Sequence, residues 1–310
     1  MSRVRMSAWS LVAAAACWGV ATAISKRAVD EIAPLTLLPI QLAVSVAILA
    51  VAFLIEGRGL PSEHRRPLAL LGVLNPGLSY ALGLAGLARI TANASALLWA
   101  TEPVLILLIA WVILQQRPTA AVVSCATAAF AGVLLVVAAP DVELDALGVA
   151  LTLAGVVACA VYTVLSGRFL ASSSTLGVVL LQQLSALTFA VVLLFGGAAA
   201  GRTTDLEGVS ATGWASALLA GAFYYGVAFC FYVRGLRTCP PAVAGLFINL
   251  VPVFGVAAAG LLLDERLVGR QWLGAILVIG AVSVLALAQS RRVGQPTRRG
   301  ELLDAQHLIE

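Results

Sequence analysis

The segment ASALLWATEPVLILLIAWVILQQRP, Ala94 to Pro118, recurs 149 positions later as VAGLFINLVPVFGVAAAGLLLDERL, with Pro103 aligned on Pro252 and Arg117 on Arg266. Proline lacks the backbone donor and clashes with the carbonyl four residues back, so each copy reads as an apolar helix broken at the same point. A chain that carries this break twice is a duplication. Its fold must accommodate one interrupted helix in each half.

The solvent follows from composition. Apolar residues make up 61% of the chain and charged residues 11%, whereas a soluble domain carries about 25% charge. This is an all-α integral membrane protein. A helix needs about 20 mostly apolar residues to cross the hydrocarbon. Ten such runs are found, near 7–27, 34–55, 67–88, 92–115, 119–138, 145–168, 173–197, 212–236, 240–263 and 269–289. They are numbered spans 1 to 10 below. The loops between them are too short to fold alone, and the polar tail from Ser290 to Glu310 completes the chain.

Arginine placement orients the spans, because positive charge resists translocation. With a cytoplasmic N-terminus, Arg3, Arg5, Arg58, Arg65, Arg66, Arg117, Arg168, Arg234, Arg237, Arg291, Arg292, Arg298 and Arg299 fall inside. Lys26, Arg27, Arg89, Arg202, Arg266 and Arg270 fall outside, thirteen against six. The loop after span 5 carries Asp141, Glu143 and Asp145 without a basic residue, as suits an exported loop. The expectation is a multi-pass protein of a bacterial-type cytoplasmic membrane with both termini in the cytoplasm. Arg3 and Arg5 before an alanine-rich run also resemble a signal peptide, but Trp18 to Arg27 continue the apolar run, which favours a retained first span. The five cysteines, Cys17, Cys125, Cys159, Cys230 and Cys239, contain no CxxC pair; they read as small apolar packing residues.

Five spans per half is an odd number, so the second copy enters the membrane in the opposite sense: an inverted repeat. Cys17 pairs with Cys159 and Gln41 with Gln183 at a spacing of 142; Tyr80 pairs with Phe229, Gly86-Leu87 with Gly235-Leu236 and Pro103 with Pro252 at 149. The change of spacing places a longer connection near Gly201 to Gly213. The expected units are residues 1–140, residues 141–289 and a cytoplasmic tail, 290–310.

Trp18-Gly19, the run from Gly86-Leu87 through Ala94-Ser95-Ala96, the mid-helix prolines Pro103 and Pro252, and GLLLDERL from Gly260 to Leu267 resemble the EamA-type branch of the drug/metabolite transporter superfamily. The resemblance covers both halves. It implies ten helices in two inverted five-helix repeats around a central cavity, alternating access, and a small-molecule solute. Within that branch the chain is similar to YddG-type exporters of aromatic amino acids. Two departures stand out. Gln41 replaces an arginine that many members carry in span 2, and the first-half partner of Asp264-Glu265 is the uncharged Gln115-Gln116.

Glu102 is the sole carboxylate expected near mid-span. A charge there costs several kcal/mol unless it is neutralised, paired or facing water, so Glu102 is the leading candidate for proton coupling or for binding a substrate ammonium. Ser95, Trp99 and Glu102 share one stripe of span 4 beside the break at Pro103. Trp18 and Trp99 lie deep enough to line a cavity, while Trp9, Trp111, Trp214 and Trp272 lie near helix ends, where tryptophan anchors at the headgroups. Tyr225, Phe229 and Tyr232 form a stripe on span 8, and Tyr80 holds the matching place on span 3. Such stripes also serve as packing. Gln41, Gln183 and Asn249 add uncharged hydrogen-bonding capacity, and amides of this kind commonly bridge helices. Lys26, next to Arg27 at the end of span 1, reads as a snorkelling residue, a gate charge or an anchor for a substrate carboxylate; Asp264, Glu265 and Arg266 read as shaping a turn and pairing locally.

Other classes require groups the chain lacks. A membrane protease needs a serine with a histidine, or paired aspartates, at depth, yet His64 and His307 lie in polar segments. A nucleotide-driven pump needs GxxxxGK[ST]. A passive channel, a membrane scaffold, or a carrier of sugar phosphates or nucleotide-linked sugars stays open as an alternative. The last would demand interior cations. The expected partners are a small solute, amino acids by resemblance, protons and membrane lipids, with no cofactor, no metal and no nucleic acid. Because the tail arginines are placed at anionic headgroups, deleting residues 293–310 is expected to leave solute flux in proteoliposomes largely intact; total loss of flux would refute that placement.

Overall fold

The computed structural model describes residues 3–57, 59–61, 63–115, 119–137, 145–166, 175–201, 206–236, 247 and 249–293. Arg58, Gln116, Arg117, Pro118, Asp141, Glu143, Arg168, Arg202, Arg237, Cys239, Ile248 and the tail from residue 294 lie outside them. The described residues form helices joined by turns and short irregular segments, without strands. Seven helices are long and apolar enough to cross a membrane, and three shorter apolar helices, Ala120–Val136, Val251–Leu263 and Gly269–Val284, fall in spans 5, 9 and 10.

Spans 1, 2, 5, 6, 7 and 10 are continuous helices: Arg3–Val29, Pro34–Glu56, Ala120–Val137, Ala146–Ser166, Thr175–Ala199 and Gly269–Val293. The others are interrupted. Span 3 runs as Arg65–Gly72, a kinked stretch Val73–Leu78 in which Asn75 leaves helical geometry just before Pro76, then Ser79–Leu87. Span 8 runs as Ala211–Ala220, a π-helical stretch Gly221–Val227, and Ala228–Leu236. Span 4 is split into Ala92–Trp99 and Glu102–Leu114. Its counterpart in span 9 is Val251–Leu263, entered through a turn at Asn249 and Leu250.

The proline explains each restart. Pro103 and Pro252 occupy the first turn of a 13-residue helix, where no intrahelical donor is needed. Both helices end in a left-handed residue, Gln115 at φ 55° and Asp264 at φ 54°, again 149 positions apart. The echo in sequence is therefore an echo in backbone: restart, length and terminating turn all recur.

Packing obeys the same exchange. Span 1 packs against spans 8 and 9, and its counterpart span 6 packs against spans 3 and 4. Span 2 lies on the interruption in span 8, and span 7 on that in span 3. Spans 2 and 7 also pack on each other, as do spans 5 and 10. At the 5–10 crossing, Gly132 and Gly274 face one another. A Cβ on Gly132 would lie 2.7 Å from the Gly274 carbonyl oxygen, and one on Gly274 2.6 Å from the Gly132 carbonyl oxygen. Small residues let helices approach closely in lipid, where no hydrophobic force drives them together. Phe130, Leu261 and Ile276 point outward from the bundle, and Trp9, Trp111 and Trp272 are exposed as membrane anchors should be.

A side chain at the crossing is overpacking. Gly132→Val is expected to lower stability by about 1–3 kcal/mol in detergent denaturation. Gly280→Ala, whose Cβ meets nothing within 4 Å, should change it by less than about 0.5 kcal/mol. Equal effects from the two substitutions would remove the crossing from the packing account.

Candidate functional site

Where the interrupted spans meet span 1, a small cavity opens. It is lined by Thr22 and Ser25 of span 1, Tyr80, Gly83, Leu84 and Leu87 of span 3, Ser95 and Trp99 of span 4, and Tyr224 and Tyr225 of span 8. Four of the residues expected from sequence, Ser95, Trp99, Tyr80 and Tyr225, are thus brought to one place. The rings form a cluster: the Tyr80 centroid lies 5.7 Å from Trp99, 5.3 Å from Tyr224 and 5.1 Å from Tyr225. Such distances suit tilted and edge-to-face aromatic contact. Gly83 makes room for the indole, since a Cβ there would sit 3.0 Å from Trp99 Cζ2.

The cavity holds about 30 Å³, space for one or two waters and about a tenth of an ordinary ligand pocket. In this conformation the site is contracted. Its lining is aromatic and aliphatic with hydroxyls from Thr22, Ser25, Ser95 and the tyrosines, and carries no charge.

Glu102 stands just beyond the lining. It opens the second half of span 4, and the thiol of Cys159 on span 6 donates to its Oε1 at 3.3 Å. Around this contact the second half of span 4 packs on span 6. Cys159 is therefore more than the apolar filler expected from sequence: it supplies the carboxylate's one side-chain hydrogen bond among the described residues. Cys17, its repeat equivalent, sits two positions before Gly19, which packs on the backbone of Val251, the repeat equivalent of Glu102. The scaffold is duplicated there, but the second copy has no carboxyl.

The remaining expected residues fall elsewhere. Trp18 packs edge-on against Phe229 and Tyr232, each at 5.5 Å, in a second aromatic group outside the lining. Its buried Nε1 has no hydrogen-bond partner among the described residues. Gln41 reaches the lining only through Ser25, to whose Oγ its Nε2 donates at 3.3 Å. Gln183 accepts from Ser45 and donates to the carbonyl of Tyr225 at 3.0 Å. It thereby ties spans 2 and 7 to the interrupted part of span 8. Asn249 is half-buried in the turn before span 9 resumes. Thr22, Ser25 and Tyr224 were not singled out in sequence; a hydroxyl on a small-residue helix gives no periodic signal to find it by.

One end of the bundle carries a set of polar contacts between the halves. Glu265 accepts from the backbone amides of Ala92 and Asn93, both at 2.8 Å, so it caps the first half of span 4 across the repeat boundary. This corrects its reading as a local turn residue; Asp264 does form the turn. Glu31 accepts from Ser210 N and Oγ, each at 2.8 Å, where span 8 begins. Arg27 donates to the carbonyl of Leu262, and Arg89 pairs with Asp145 at 2.7 Å. Lys26 pairs locally with Asp30 at 3.0 Å. The Arg89 guanidinium, with amides at the start of span 6, holds the Asp145 carboxyl below the usual carboxylate range. A lowered carboxylate pKa makes this link present at neutral pH and lost as pH falls through that lowered value.

The described residues thus form an all-helical bundle of two interrupted halves around an uncharged aromatic cavity. The EamA-like transporter family model matches residues 5–138 and 146–287, one match in each half. The chain belongs to the EamA-like transporter family, and so is a membrane transporter of small solutes. A solved structure titled only "Crystal structure of protein" has the same fold, with a TM-score of 0.64 and 17% identity over 94% of this chain and 99% of that one. Comparison with curated protein sequences gave no match.

Gln183 offers a test of which polar groups face solute. Gln183→Ala strands the buried Ser45 hydroxyl and Tyr225 carbonyl, so it is expected to cost about 1–3 kcal/mol while leaving the ranking of competing solutes unchanged. An altered ranking at unaltered stability would put Gln183 in the site.

Proposed function

We propose that the protein exports amino acids, aromatic or apolar, by alternating access, with Glu102 as the proton-coupling carboxyl. The observation that carries this reading is the Tyr80–Trp99–Tyr224–Tyr225 cluster beside the break in span 4. An aromatic or aliphatic side chain is bound by stacking and area burial on such rings, and the hydroxyls of Thr22, Ser25 and Ser95 can orient a polar head group. Discontinuous helices at a repeat interface are where secondary transporters place their solutes. Anionic sugar phosphates fit poorly, because the lining offers no cation. The topology proposed with this function is that of the arginine count: an inner-membrane protein with both termini in the cytoplasm.

Glu102 is one turn beyond Trp99, and its counterpart Val251 cannot ionise. A carboxyl that binds and releases a proton during the cycle would link solute flux to the proton gradient. Labelled amino-acid flux in proteoliposomes, with and without an imposed pH gradient, is expected to be accelerated by the gradient. Glu102→Gln should abolish that acceleration while the protein stays folded. An unchanged pH response in Glu102→Gln would sink the coupling role, and failure of every amino acid to compete would sink the substrate class.

A further inference from the structure

We propose that Glu265 is a releasable latch: it closes the Glu265 end of the bundle by holding the N-terminus of the solute-facing half of span 4, and its release opens the cavity to that side. The inference rests on the alternating-access reading above, and extends it to a named positioning residue.

The argument begins with sidedness. Ends of spans 1, 3 and 9 and starts of spans 2, 4, 6 and 8 lie on one side of an antiparallel bundle, the outer side by the arginine count. The contacts Glu265 to Ala92 and Asn93, Glu31 to Ser210, Arg27 to Leu262 and Arg89 to Asp145 all lie on that side. Each joins one half of the chain to the other. If the halves part at this end, every one of these contacts must break.

They are not equivalent. Arg89 and Asp145 have 47% and 37% of their side chains exposed, and an exposed pair contributes little. Glu265 is partly buried and spans two amides at a helix N-terminus, where the backbone dipole favours a carboxylate. Its own position, just past the C-terminus of a helix, is one the dipole disfavours, so the bound arrangement relieves a local penalty. The helix it holds is Ala92–Trp99, which carries Ser95 and Trp99 into the cavity. Thr91 also caps that helix, accepting from Ala94 N at 3.2 Å, so the helix has a start of its own when Glu265 leaves. A helix that keeps its own cap while losing a cap from the other half can detach without melting.

The test uses a cysteine at Thr22, on the cavity lining, in the full-length protein. An impermeant maleimide is applied from each face of the membrane and modification is scored at position 22 by mass spectrometry. Two variants loosen the latch from opposite sides. Glu265→Gln removes the charge. Ala92→Pro removes one donated amide at the first helical position, where proline is tolerated and where Thr91, at φ −70° and ψ 154°, already has the extended backbone that a following proline requires. In both, labelling from the Glu265 face is expected to rise about tenfold and labelling from the other face to fall, as a population shift requires. Arg89→Gln should change either rate by less than about twofold.

If Glu265→Gln does not yield folded protein, Ala92→Pro decides the matter alone. A parent labelled from one face only, with both variants unchanged, overturns the latch and leaves alternating access standing. A parent labelled equally from both faces overturns alternating access and the latch together. Rates that rise from both faces in the variants would show a loosened bundle and also overturn the latch.

Discussion

Hydrocarbon offers no hydrogen bonds, so any backbone group released by a helix break must find a partner inside the protein. That constraint organises this molecule. The breaks in spans 3, 4, 8 and 9 occur where other spans lie against them: span 7 on the interruption of span 3, and span 2 on that of span 8. Pro103 and Pro252 sit where the missing amide costs nothing, Thr101 Oγ1 donates back to the carbonyl of Leu98 at 2.7 Å, and Gln183 donates to the carbonyl of Tyr225. The cavity lies among three of the interrupted spans, 3, 4 and 8, with span 1 closing its remaining side.

Duplication supplies the breaks twice, but the chemistry once. Gly132 meets Gly274 at the 5–10 crossing, and Gln115 and Asp264 end matching helices with matching left-handed residues. The side chains at the breaks differ. Trp99 and Glu102 stand in the first copy, whereas Val251 stands opposite Glu102 in the second. Backbone symmetry thus coexists with side-chain asymmetry at the breaks, while the cavity lining draws on both halves, Tyr80 and Trp99 from the first and Tyr224 and Tyr225 from the second.

Much of this was legible in the chain. Composition fixes the solvent, the run lengths mark the spans, the echo around Pro103 and Pro252 reveals the duplication, and the odd number of spans per half gives the inverted relation. Ser95, Trp99, Tyr80 and Tyr225 stood out in the sequence because polar and aromatic groups are conspicuous in an apolar helix, and all four line the cavity. The kink in span 3 has a marker in Pro76, whereas the π-helical stretch of span 8 has none, for a π turn is one inserted residue and leaves no periodic signature. The reach of Glu265 was not legible either: the sequence shows a carboxylate after span 9, but only packing shows the start of span 4 beneath it. The hydrogen bond from Cys159 was hidden for a similar reason, since it joins span 6 to span 4 across 57 positions of chain.

The central claim is that solute recognition resides on the first copy of the broken helix, at Trp99, rather than on the second aromatic group around Trp18. Tryptophan fluorescence of the purified protein, titrated with phenylalanine and leucine, tests it most directly. The account predicts a solute-dependent change that disappears in Trp99→Phe and persists in Trp18→Phe; a change that persists in Trp99→Phe and disappears in Trp18→Phe would contradict it.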